Sequence, residues 1–294
     1  MSKILIKDIK ELITMDGDRN RYKNTDLLIE DEEVKKIDDD IDVNEDEVDE
    51  IIEAGNYFAF PGLINTHHHF YQTLTRNIPQ AQGVELFNWL KFLYPIWSKL
   101  TPEAVYYSTL LASAELLKTG CTTSVDHFYV FPDSQPDNLM DYQFKAAKEI
   151  GIRFHGSRGS MSLSEEDGGL PPASVVQSED EILNDSQRVI DKYHDDSKNG
   201  MQRVILAPCS PFSVSKDLMI ESIKLARQNN VLSHTHLAET LDENQYCVDT
   251  FGKRPLALME EWDWIGDDVW YAHGLHFNEF EIAKLAETGT GVSH

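Results

Sequence analysis

The stretch Pro61-Gly62-Leu63-Ile64-Asn65-Thr66-His67-His68-His69 carries the most structural information in this chain. A short apolar run between a Pro-Gly turn and a histidine triplet has the length and composition of a buried β-strand with chemistry at its C-terminal end. Alternate residues of an extended chain point to the same side. His67 and His69 are therefore expected to project together and His68 away from them. Two imidazoles on one side at that spacing suit a shared divalent metal.

Working outward, short β runs alternate with amphipathic helices from residue 59 onward. The expected strands are 60–69, 121–128, 152–159, 203–212, 231–239, 269–277 and 290–294. Thr101-Pro102 opens a helix with proline at its first position, and Gly120 follows its end. Ser178 and Glu181 form a capping box that opens another. Segments 217–228 and 281–289 repeat apolar residues at a helical period. Repeated β-then-α units predict an α/β fold with a parallel sheet under helices. The absence of a dinucleotide-type glycine loop favours a (β/α)8 TIM barrel over a doubly wound sheet. About seven strands are counted, so the barrel is expected to be incomplete, lacking its last strand. Residues 1–58 differ: short apolar runs at 4–6, 27–29 and 50–52 separated by charged turns predict a small N-terminal β domain, with 59–294 as the barrel.

The chain has 294 residues, 51 acidic and 26 basic, for a formal net charge of −25. Nearly half of that charge sits in residues 30–53, read as a solvated acidic loop or edge. The balance argues against nucleic-acid partners and anionic membranes, which need clustered Lys and Arg. No run of about 18 apolar residues occurs, so no membrane span is expected. Three scattered cysteines, Cys121, Cys209 and Cys247, form no disulfide framework, and a cytoplasmic location is expected. The chain contains no GxGxxG after a strand, no GxxxxGK[ST] and no HExxH, which sets aside dehydrogenases, NTPases and HExxH metalloproteases.

Two further strand ends carry chemistry. Ser233-His234-Thr235-His236-Leu237-Ala238-Glu239 closes the fifth strand. Either histidine suits a third metal ligand, and Glu239 lies where barrel active sites form and suits proton transfer. Trp270-Tyr271-Ala272-His273-Gly274 places His273 at the end of the sixth strand. His127, His155, His194 and His276 are assigned no role. Trp89, Phe92, Tyr94 and Trp97 suit either the wall of a flat-ring pocket or plain packing.

With these motifs together, HxH on the first strand and HxxE on the fifth, the chain resembles the amidohydrolase superfamily, in its cytosine/guanine/chlorohydrolase-type deaminase group. The segments PGLINTHHHFYQTLTR (61–76), ELLKTGCTTSVDHFYVFP (115–132), LAPCSPFSVS (206–215) and HTHLAETLDE (234–243) carry the likeness. GSMS (159–162) and DGGLPP (167–172) point to the 8-oxoguanine deaminase branch. The resemblance implies metal ligands His67, His69 and His236, a proton shuttle at Glu239, and at His273 a group that polarises the attacked centre or orients the nucleophile. It implies substrate contacts at Gln72 and, more weakly, at Arg158 and Cys209-Ser210. The lysine that bridges two metals in binuclear relatives has no counterpart in RVILAPCSPF (203–212), which implies a single divalent metal, zinc first and iron second.

The implied activity is metal-dependent hydrolytic deamination of a small purine-like heterocycle, 8-oxoguanine to urate plus ammonia. Guanine, isoxanthopterin and triazine substrates are the alternatives. The family's eighth-strand aspartate has no counterpart, and Asp126 is a poor substitute by position. A competing expectation is thus a truncated, inactive fragment that keeps residual metal binding. A homo-oligomer is left open.

Overall fold

The computed structural model describes residues 2–294 and divides into two compact units, one ending at Leu63 and the other covering Ile64–His294. In the first unit, β1 (Lys3–Ile13), β2 (Arg21–Glu30), β3 (Glu33–Asp38) and β4 (Glu50–Glu53) pair in the order β3-β2-β1-β4, and β5 (Phe58–Ala59) adds to β1. Alternation along β2 sends Leu27 and Leu28 into opposite apolar clusters. On β1, Leu5 and Ile9 also face opposite sides although an even number of residues separates them. The register explains this. Between Ile6 and Ile9, β1 advances three residues while β2 advances two, from Leu27 to Thr25. The bulge puts Asp8 at φ 57°. Asp26, itself buried, accepts the backbone N–H groups of Asp8 at 2.8 Å and Ile41 at 3.1 Å.

The second sheet runs β6 (Leu63–Asn65), β7 (Cys121–Phe128), β8 (Arg153–Ser160), β9 (Gln202–Pro208), β10 (Leu232–Leu237), β11 (Val269–His273) and β12 (Gly291–Ser293), paired in sequence order. The pairs given a register, β7·β8, β8·β9, β9·β10, β10·β11 and β11·β12, are all parallel. A doubly wound sheet would reverse its order part-way; this one does not. Between β6 and β7 lie two short 3-10 turns, then α1 (Leu86–Trp97) and α2 (Pro102–Lys118). Next come α3 (Leu139–Ile150) before β8, α4 (Glu179–Tyr193) before β9 and α5 (Lys216–Gln228) before β10. The last connections are α6 (Leu241–Phe251) with α7 (Pro255–Glu261), then α8 (Glu279–Thr288). The sheet curls: the Thr66 and Ser293 hydroxyls, one beyond β6 and one ending β12, meet at 2.7 Å. The fold is an incomplete TIM barrel of seven parallel strands with a small N-terminal sheet.

Helix boundaries follow the caps. Thr101 accepts from Ala104 N–H, with Pro102 at the first helical position. Ser178 and Glu181 close the capping box of α4. Strand β6 is much shorter than the expected 60–69: it runs only from Leu63 to Asn65, beyond which the His67 N–H turns to the Asn65 side chain at 3.1 Å while the His68 carbonyl still accepts the His127 N–H at 2.7 Å. Among the described residues no helix is long and apolar enough to cross a membrane.

Candidate active site

The C-terminal ends of the strands bring the singled-out residues together, where barrel folds place their reactive groups. His67 and His69 follow β6, His127 is the penultimate residue of β7, and Cys209 follows β9. His234 and His236 lie on β10, Glu239 two residues past it, and His273 ends β11. The His67 ring is central, with centroids 4.7 Å from His69, 4.9 Å from His236 and 5.2 Å from His273.

The outer nitrogens of four rings meet main-chain carbonyls. Nδ1 of His69 meets the His127 carbonyl at 2.7 Å, Nε2 of His127 the Ala207 carbonyl at 2.8 Å, Nδ1 of His234 the Trp270 carbonyl at 3.0 Å, and Nδ1 of His236 the Cys209 carbonyl at 2.6 Å. A carbonyl only accepts, so each of these nitrogens donates its N–H, and in a neutral ring the other nitrogen carries a lone pair. Burial holds all four imidazoles well below their ordinary pKa, His69 and His234 down to about 3. Two bare nitrogens, Nε2 of His69 and Nε2 of His236, then face each other at 3.1 Å. Nε2 of His67 is buried with no hydrogen-bond partner. One ligand atom from each of His67, His69 and His236 falls within 4.8 Å of the others. This donor set fits a divalent cation: three imidazole lone pairs converge, and an ion removes their mutual repulsion.

Beside the histidines, burial first and the Glu243 charge second push the Glu239 carboxyl up to about 7. Glu239 Oε1 lies 3.6 Å from His273 Nε2. The loop carrying Glu239 is constrained, with Ala238 at φ 53° and His273 at φ 76° in the left-handed region that disfavours non-glycine residues. Gly274 N–H to Leu237 O at 3.0 Å and His276 N–H to Ala238 O at 3.0 Å stitch the two strand ends together. A cavity of 340 Å³ opens on this cluster. His69, Gln72, Cys209, His236, Glu239 and His273 form its polar side, and Leu86, Trp89 and Phe212 stand among its apolar walls. The Cys209 thiol is pushed up to about 12 by burial, so it is a neutral neighbour and not a nucleophile.

The sequence pattern of the Amidohydrolase family matches residues 58–294. The chain belongs to this family. Among relatives of this amidohydrolase, the 8-oxoguanine deaminase of Pseudomonas aeruginosa is 48% identical over 242 residues, covering 82% of this chain and 54% of that protein. The hydroxydechloroatrazine ethylaminohydrolase of Pseudomonas sp. is 37% identical over 303 residues, covering 100% and 63%. The crystal structure of an atrazine chlorohydrolase from Arthrobacter aurescens complexed with zinc superposes with a TM-score of 0.93 at 30% identity, covering 99% of this chain and 65% of that one. The amidohydrolase chain thus spans about half to two thirds of the length of these proteins.

Within this amidohydrolase the structure redirects several sequence expectations. Arg158 does not turn to the cavity. Its guanidinium is buried, donating to Asp185 at 2.6 Å, to Gln177 at 2.8 Å and to the Gly159 carbonyl, and it lies 3.8 Å over the Phe131 ring. An arginine with these partners anchors the β8 end, buried and apart from the residues that line the cavity. Of the four aromatics, Trp89 lines the cavity, Tyr94 and Trp97 are buried in the core, and Phe92 is 37% exposed. His127, assigned no role from sequence, stands inside the cluster, stacked on His236 at 4.4 Å. The signal was there, since His127 stands one residue from the end of its strand, close to where His273 stands on β11. His68 points elsewhere, onto the Phe70 ring at 5.0 Å. Asp126 stays outside the metal ligand set. Its carboxyl, pushed up to about 7 by burial, accepts the Phe70 N–H at 2.6 Å and a donor from Gln143 on α3. It pins the main chain immediately after His69.

Proposed function

We propose that this chain carries the catalytic centre of a metal-dependent hydrolytic deaminase acting on a purine-like heterocycle, with 8-oxoguanine the leading substrate. The single observation behind the reading is the convergence of the His67, His69 and His236 lone pairs beside a raised carboxyl at Glu239, at the mouth of a flat-ring-sized cavity. The 48% identity to an 8-oxoguanine deaminase favours that substrate over the triazines and isoxanthopterin of other relatives.

His67, His69 and His236 would hold one divalent ion, zinc or iron, which when bound supplies Lewis acidity that makes water nucleophilic near neutral pH. Glu239, poised near neutrality, passes one proton of the attacking water to the ring nitrogen and then the second, from the added hydroxyl, to the leaving amine. Water adds to the amino-bearing ring carbon, the C–NH2 bond breaks, and the products are a ring carbonyl and ammonia. His273 orients this exchange from 3.6 Å on the far side of the Glu239 carboxylate. Trp89, Leu86 and Phe212 cover the ring faces and exclude bulk water, and Gln72 contacts the ring edge. Cys209 shapes the wall.

The test is ammonia release by the zinc-loaded chain on a panel of 8-oxoguanine, guanine, isoxanthopterin and a hydroxylated aminotriazine. Turnover fastest on 8-oxoguanine and lowered about 10²–10⁴-fold by Glu239→Gln supports the reading. No turnover of any purine, pteridine or triazine, with zinc bound, overturns it and favours a binding-only chain.

A further inference from the structure

One ring in the cluster is held differently from the rest. His69 and His236 anchor their Nδ1–H groups on main-chain carbonyls. His67 has no such carbonyl; its Nδ1 faces Nε2 of His234 at 2.8 Å. His234 is in turn fixed from behind, its Nδ1 3.0 Å from the Trp270 carbonyl and its ring stacked on the Trp270 indole at 4.3 Å and 17°. We propose that His234 is the positioning residue of the metal centre, accepting the Nδ1–H of His67 and thereby directing the Nε2 lone pair of His67 at the ion. The inference rests on the metal-centre reading above and adds a residue that the family-based assignment of His236 sets aside.

The proton positions follow from one fixed point. The Trp270 carbonyl accepts, so the proton of His234 sits on Nδ1 and its Nε2 is an acceptor. A 2.8 Å nitrogen-to-nitrogen contact needs one donor, and only Nδ1 of His67 is left to be that donor. The proton of His67 is then on Nδ1, which leaves its Nε2 bare. That atom is the buried nitrogen with no partner of its own. The relay runs from the Trp270 carbonyl through His234 to His67, and every member is locked by the one before it. A ligating histidine generally needs such a partner on its other nitrogen to hold ring and tautomer. In this site a second histidine does the work of the main-chain carbonyl.

A rival arrangement uses the same atoms. His67, His127 and His234 also bring ligand atoms within 4.8 Å of one another. A cation seated there would occupy the space between His67 and His234 and would replace their hydrogen bond.

Two kinds of measurement decide, and neither depends on turnover. First, zinc affinity of the whole chain is measured by competition with a chelator for wild type, His234→Leu and His234→Gln. The Leu variant loses the acceptor and is expected to bind zinc about 10–100-fold more weakly. The Gln variant, whose amide oxygen accepts from His67 while its NH2 donates to Trp270, is expected to stay within a few-fold of wild type. Equal affinity in all three, or an equal loss in both variants, overturns the proposal. Should the Leu variant not fold, the Gln variant and the second measurement decide alone. Second, long-range proton–nitrogen spectra of the wild-type chain report the His67 tautomer. A proton on Nδ1 supports the relay; a proton on Nε2, or two tightly held zinc ions per chain, overturns it. Because each readout is binding or tautomer, an absence of deaminase activity would sink the proposed function and leave this inference standing.

Discussion

Glu243 holds Glu239 through the main chain. The fully buried Glu243 carboxylate accepts the Glu239 N–H at 2.9 Å with one oxygen and the Ala238 N–H at 2.9 Å with the other. The left-handed turn at Ala238 is thereby fixed from α6, and the proton-carrying side chain is aimed from a point it does not touch. Glu243→Ala removes both acceptors. A misplacement of about 1 Å at a reacting group costs on the order of 10²-fold. The expected result is a fall of that size in kcat with a small change in KM. A glutamine at 243 keeps one acceptor and is expected to fall between the two. Steady-state kinetics on the three proteins checks this.

Arg158 was a substrate contact by resemblance and is a buried tie in the structure. Its partner Asp185 has a side chain only 6% exposed and keeps the Arg188 guanidinium at 2.7 Å, so truncating Arg158 removes one of the two cations on a carboxylate that stays paired. Arg158→Ala is expected to lower stability by about 1–3 kcal/mol. Urea unfolding measures the loss. The kcat/KM of the folded fraction is expected to stay within a few-fold of wild type; a specific rise in KM at full stability would return Arg158 to the substrate.

Stability should peak near the middle of the pH scale once a chelator has removed bound metal. Asp126, Glu239 and Glu243 each have a folded-state value raised to about 7. The folded chain therefore binds more protons than the unfolded one, and stability present below about 4 to 5 is lost as pH rises through 7. The buried histidines run the other way. His155 is held down to about 4, and His69 and His234 to about 3. Their contribution is complete above about 6.5 and is lost as pH falls towards those values. Melting temperature against pH is expected to fall on both sides of a maximum near pH 6. A monotonic rise to pH 9 would contradict the carboxyl assignments.

Trp89 is one of the aromatic walls of the cavity, with Phe212 and Tyr129. Trp89→Ala is expected to weaken binding of a bicyclic heterocycle by about 1–3 kcal/mol, the range seen for a base against an aromatic side chain. The change should appear in KM or in the affinity of a product analogue, with kcat changed less.

The strand at 121–128 was legible from sequence to its last residue, because Gly120 closes the preceding helix and Thr122, Thr123 and Val125 favour an extended chain up to the aromatic Phe128. The first strand is shorter than expected at both ends; after its last residue the Asn65 side chain accepts the His67 N–H in place of a neighbouring strand. Periodicity contains no information about that bond. The HxH that follows β6 and the HxxE at the end of β10 stand in linear form, and the choice of His236 over His234 beside His67 and His69 comes from the family resemblance. What was not legible is everything that depends on the outer nitrogen of a ring. His127 reads as an ordinary strand histidine, and His234 and His236 as equal candidates, until neighbouring carbonyls, distant in sequence, show which nitrogen of each ring is bare. Helix α1 split its aromatics for a similar reason: Leu90, Leu93, Tyr94 and Trp97 share the buried face, and Trp89 faces the cavity.

The carbonyls gripped by the histidines belong to other strands. His69 reaches β7, His127 reaches β9 across β8, His234 reaches β11, and His236 reaches the end of β9. A slip of one residue in any of these strands would present a different carbonyl, release a ring and scatter the lone pairs. Ion binding and strand register would thus be coupled: an ion held by His67, His69 and His236 would in turn hold the strands in the alignment that presents those carbonyls.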